Sequence, residues 1–129
     1  MTAPTETVER LYSSFAAGDL GTVLDLLDPD VEWVTPPTLQ WSRGSYRGRD
    51  DVLSYFESFG AALERPAVVP ERILGCGNTV VSLGRESGQA RATGETFSVP
   101  FAHVLTVDDG RVTSLRGHVD TATICAAFA

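Results

Sequence analysis

Apolar positions recur along this chain with two different periods, and the change from one to the other divides it. Near the N-terminus Val8, Leu11, Tyr12 and Phe15 fall at i, i+3, i+4 and i+7, one face of a helix. Pro4 suits the first turn of that helix, where its missing N–H costs nothing, and Gly18 ends it. Asp19 stands at the cap of a second short helix carrying Val23, Leu24, Leu26 and Leu27. Asp28-Pro29-Asp30 breaks that helix. Val31-Glu32-Trp33-Val34-Thr35 alternates as a strand, closed by Pro36-Pro37, because proline cannot donate to a ladder. Residues 38–47 read as a loop. Gly48 opens a third helix with Val52, Tyr55, Phe56, Phe59 and Leu63 on its buried face, and Pro66 closes it.

Beyond Pro66 the pattern is β-like. Strands are expected at about 67–75, 78–87, 90–107 and 111–121, with Gly75-Cys76-Gly77-Asn78 and Gly88-Gln89 as turns. The most ordered motif joins the last two: Phe101 to Val107, the turn Asp108-Asp109-Gly110-Arg111, then Val112 to Asp120. Both histidines, His103 and His118, lie in it. The order α-α-β-α-β-β-β-β is an α+β layout, three N-terminal helices packed on one face of a curved, mostly antiparallel sheet. A sheet curved in this way encloses a pocket, a usual ligand site. Residues 1–129 are expected to form one domain.

Composition narrows the partners. Apolar residues make up 43% of the chain, enough for a core. Seventeen acidic residues face ten basic ones, all arginine, for a net charge of −7 and a pI near 4.6. The arginines are scattered and build no basic patch, so neither nucleic acid nor an anionic membrane is an expected partner. No apolar run approaches membrane-spanning length and the first residues lack a signal pattern, which leads to the expectation of a cytoplasmic protein. Cys76 and Cys125 sit in no metal spacing and are expected as buried free thiols. No HxxxH, Cys/His cluster or paired-carboxylate motif occurs, and no glycine-rich phosphate loop opens a helix. No metal and no cofactor are expected.

Four short stretches, in this order and spacing, carry a family likeness: Ala16-Ala17-Gly18-Asp19-Leu20, Leu26 to Trp33, Tyr46 to Val52, and Asp109-Gly110-Arg111-Val112. The chain resembles the nuclear transport factor 2-like superfamily, the α+β cone, and within it the ketosteroid isomerase and SnoaL-like polyketide cyclase branch. The resemblance implies the fold more than the activity, since this fold hosts many functions. The tyrosine, base and protonated acid of ketosteroid isomerases, laid on this chain without gaps, fall on Leu11, Thr35 and Ala102. None of the three can play its role. The limonene epoxide hydrolase network falls on Ser87, Arg85, Gly117, Trp33 and Thr35, of which only Arg85 matches. SnoaL-like cyclases have a histidine fourteen residues before their acid. His103 matches the histidine, and Gly117 stands where the acid would be. Asp120, the nearest carboxylate, points away from position 117 in a flat strand and reaches a pocket only through a bulge or at the strand's end.

His103 and Asp120 are therefore the candidate acid–base pair. Arg85, read as inward-facing, Thr35 and Ser87 are candidates for steadying oxyanion charge. Tyr12, Trp33, Phe56 and Phe59 are expected to wall the pocket, with Gly117 and Val119 beside it. Trp41 is expected at its mouth, because a tryptophan in a polar loop often covers a ligand. His118, Arg116 and Asp120 also fit a plain outward alternation. The resemblance implies a cofactor-free bacterial enzyme of natural-product metabolism that cyclises or isomerises an apolar, carbonyl-bearing molecule, working as a homodimer. A non-catalytic binding module of the same fold is one alternative. A hydrolase or dehydratase using His103 and Asp120 is another.

Overall fold

The computed structural model describes residues 3–129. Helix α1 (Pro4–Ala16) buries Val8, Leu11 and Tyr12, and α2 (Leu20–Asp25) is capped by Asp19, whose carboxylate accepts from the Thr22 N–H. Strand β1 (Leu27–Val34) stops before Pro36-Pro37. Within the expected loop, Ser45–Arg47 forms a short strand, β2, that pairs antiparallel with β1 and sets Tyr46 opposite Trp33. Helix α3 (Arg49–Ala62) follows Gly48.

Four long strands come next: β3 (Leu63–Cys76), β4 (Thr79–Ala90), β5 (Thr96–Asp108) and β6 (Arg111–Val119). A final helix, α4 (Thr121–Ala127), was not legible as a helix. The sheet order is β2-β1-β6-β5-β4-β3, antiparallel throughout except where β1 runs parallel to β6. Asp109 and Gly110 both adopt left-handed φ, 51° and 74°, which is what a tight Asp-Gly hairpin turn requires. The β4–β5 turn falls after Ala90, so Gly88 and Gln89 lie inside β4 rather than in a turn. Leu63 and Pro66 belong to β3, not to the end of a helix. The sheet is curved and unclosed, an α+β cone.

β3 is bent where its register with β4 shifts, between Pro70 and Arg72. Gly84 on β4 lies against that bend. A Cβ at Gly84 would run into the Val69 carbonyl oxygen and Pro70, so the close approach of the two strands needs glycine. Both cysteines are free, and Cys76 is exposed at the end of β3 rather than buried. No described helix is long and apolar enough to cross a membrane.

Candidate active site

α1 and α3 lie across the concave face of the sheet and leave a pocket that opens to solvent. Its walls are apolar. Tyr12 and Phe15 come from α1, Tyr55, Phe56 and Phe59 from α3, Trp33 and Thr35 from the end of β1, and Val68 from β3. The ionisable groups facing in besides the tyrosines are His103 from β5 and Glu86 from β4.

His103 is fixed on three sides. The Tyr12 hydroxyl is 2.6 Å from its Nδ1, and the two rings lie nearly parallel. Phe101, two residues earlier on the same strand face, stacks on the imidazole with centroids 4.2 Å apart. Across the ladder His103 is paired with Ser82 on β4 and Gly117 on β6. A Cβ at Gly117 would sit 3.5 Å from His103 Cδ2 and 3.8 Å from Nε2, so the missing side chain leaves one flank of the ring open. Nε2 has no hydrogen-bond partner among the described residues. Burial, then the nearby His118, pushes the His103 pKa down to about 3, so the ring is neutral at physiological pH. Burial pushes the Tyr12 hydroxyl well above its ordinary range, and it keeps its proton.

Glu86 is the residue that sequence reasoning missed. It is 7% exposed, and burial without a compensating partner raises its pKa from 4.5 to about 7. Arg85 is the exposed one of the pair, and Ser87 shares its outward parity, so neither lines the pocket. The reversal follows from the ladder. With His103 inward and opposite Ser82, the inward set on β4 is Val80, Ser82, Gly84 and Glu86. The opposite parity, Val81 and Leu83, is no less apolar, so the sequence of β4 by itself carries no signal for which face is buried.

Other candidates divide. Tyr12, Trp33, Thr35, Phe56 and Phe59 all line the pocket. Thr35 Oγ1 lies 2.6 Å from Ser42 Oγ. Two buried polar atoms, Trp33 Nε1 and Ser82 Oγ, have no partner among the described residues. Trp41 is no lid. It is 3% exposed, packed among Phe59, Phe97 and Phe128, and donates its Nε1–H to the Tyr55 hydroxyl at 3.2 Å. The loop folds inward there, and the indole is buried among these rings, as large aromatic side chains favour. Asp120 is exposed and does not line the pocket. Its carboxylate caps α4, accepting from the Thr123 N–H and hydroxyl. His118 and Arg116 are exposed, on the outward face. Val119 is half-buried against the core, outside the pocket lining. Among the described residues no three His, Cys, Asp or Glu side chains converge as metal ligands would.

The chain is thus an unclosed α+β cone with a tyrosine-backed histidine over an apolar hollow. A family model for the SnoaL-like domain matches residues 8–115, and the chain belongs to that family, within the NTF2-like superfamily. An NTF2-like protein from Burkholderia thailandensis superposes with a TM-score of 0.95 at 26% identity, covering 100% of this chain and 99% of that one. TerC, co-crystallised with polyporic acid, gives a TM-score of 0.88 at 24% identity, with 98% of each chain covered. IdmH, a putative polyketide cyclase from Streptomyces antibioticus, gives 0.83 at 23%, again with 98% of each chain covered. The last two likenesses show the fold. No curated protein matches the chain.

Proposed function

We propose that this protein performs cofactor-free chemistry on a mostly apolar, carbonyl-bearing small molecule of polyketide type, an isomerisation or a cyclisation. The observation that carries the reading is the Tyr12–His103 hydrogen bond at the wall of an apolar pocket. When the Tyr12 hydroxyl donates to Nδ1, the neutral ring carries its proton on Nε2. An N–H in a low-dielectric hollow is suited to a carbonyl oxygen that gains negative charge. The aromatic walls supply shape and exclude water, and orientation itself then lowers the barrier. IdmH and TerC belong to the same fold, and what their names and ligand say of them supports the ligand class proposed here.

A binding module without chemistry is the second reading. Gly117, which leaves His103 with no carboxylate beside it, favours that alternative. The pairing of His103 with Asp120 draws no support from the geometry, since Asp120 is engaged at the surface cap of α4.

The experiment uses 2-tetralone labelled with carbon-13 at its carbonyl. The bound carbonyl resonance should move downfield, and the displacement should vanish in His103→Ala and shrink in Tyr12→Phe. A wild-type protein that binds no neutral ketone, or binds it with an unmoved resonance, would overturn the carbonyl reading.

A further inference from the structure

Glu86 is a buried carboxyl with no role in the arrangement above. It lines the same pocket as His103, is 7% exposed, and has burial as the only cause of its raised pKa. Among the described residues no arginine or lysine lines the pocket to balance it, and Arg85 beside it in sequence points to the opposite face. The titratable groups that face it are Tyr12 from α1, Tyr55 from α3 and His103 from β5. Burial pushes both tyrosines up and His103 down, so all three are neutral when Glu86 titrates. A second buried polar group on the same pocket, Trp33 Nε1, also lacks a partner among the described residues. Buried carboxyls without partners are costly, and such costs concentrate at working sites.

We propose that Glu86 is the proton acceptor of this pocket, taking a proton from the carbon next to the ligand's carbonyl. The assignment rests on the carbonyl reading above and names its substrate class, a ketone with an acidic α C–H. His103 is cross-strand from Ser82, and Glu86 stands four residues further along β4, roughly 13 Å of strand. Both side chains line the one pocket, so a ketone held between them presents its carbonyl oxygen to His103 and the adjoining C–H to Glu86, with the rest of the molecule against the aromatic walls. The α C–H bond breaks and its proton goes to a Glu86 carboxylate oxygen. The electron pair forms the carbon–carbon double bond of an enolate, and the carbonyl pair moves onto oxygen, held by the His103 Nε2–H. Returning the proton to a different carbon is an isomerisation. Attack of the enolate carbon on a second carbonyl of the same molecule, with the proton delivered to the new alkoxide, closes a ring. No electrons leave the substrate, so no oxidant or reductant is consumed. Desolvation helps at the moment of transfer, because a carboxylate stripped of water is a stronger base than one in solvent.

Exchange of the 2-tetralone α protons for deuterium, followed by proton NMR in D2O, tests the assignment without the natural substrate. Wild type should accelerate the exchange, with a rate that climbs through about pH 7 and then levels. Glu86→Gln should lower it by about a hundredfold or more. Glu86→Asp should keep the pH dependence at a reduced rate. Binding is read separately, from quenching of tryptophan fluorescence. Glu86→Gln that binds and exchanges as wild type does would overturn the proposal. So would a wild type that binds 2-tetralone, moves its carbonyl resonance and exchanges no faster than solvent, a result that leaves the carbonyl reading standing. Failure of wild type to bind any neutral ketone takes both down. If wild type instead holds benzyltrimethylammonium and Glu86→Gln does not, with exchange unaffected, the carboxylate is a counter-ion for a cationic ligand and not a base.

Discussion

Burial acts on Glu86 and His103 in opposite senses, and folding stability should register both. In the folded protein Glu86 keeps its proton up to about pH 7, whereas the unfolded chain releases it near 4.5. Raising the pH across that window therefore costs stability. His103 runs the other way. The unfolded chain protonates it near 6.5 and the folded protein only near 3, so stability is lost as the pH falls through that range. Glu86→Gln should then be more stable than wild type above about pH 8, by on the order of 3 kcal/mol. It should also lose stability more steeply on acidification, since the opposing slope is gone. Urea denaturation at several pH values checks both statements. At the same scale, Gly117→Asp places a carboxylate in ordinary contact range of His103. It should raise the His103 pKa, read from the imidazole proton shifts, because an opposite charge favours the imidazolium.

Secondary-structure elements differ in how plainly the sequence declares them. The helical face of α1 and the Asp109-Gly110 hairpin are local, carried by spacing and turn chemistry, and both are where the pattern puts them. β2 has three residues and is a strand only through its pairing with β1. α4 has too few apolar positions to show a period. Its start is marked by Asp120, a catalytic candidate by the cyclase resemblance and a cap by geometry. Asp120→Ala should lower stability by about 1 kcal/mol, the usual worth of a cap, while leaving 2-tetralone binding unchanged. Thermal unfolding and the fluorescence titration separate those two effects.

The whole molecule presents a sheet face that the helices do not cover. Val69 is 54% exposed and Leu74 45%, and Val81, Leu83 and Val104 share their outward side, half-buried. We propose that this apolar face pairs with its counterpart in a second copy, giving a homodimer with both pockets on the outside of the pair. Light scattering on the eluted protein should report twice the mass of the 13.8 kDa chain. Leu83→Asp should yield a monomer that still binds 2-tetralone. A wild-type monomer at every concentration would sink the idea.

Periodicity and breakers determined the order of the first three helices and the long strands and most of the aromatic residues that wall the hollow, and the family resemblance added the cone they form. Those are properties of neighbours in sequence: one helix face, one strand face, one proline. The identity of the polar groups inside the hollow was decided elsewhere. Tyr12 and His103 are 91 positions apart and meet only when α1 packs across β5. Whether Arg85 or Glu86 faces inward is a question of strand register, answered by the pairing of Ser82 with His103. A shift of one residue would exchange them, because side chains alternate with period two, and no local pattern around Arg85-Glu86 distinguishes the two settings. Trp41 likewise looked exposed in its polar loop until Phe59, Phe97 and Phe128, distant in sequence, closed around it.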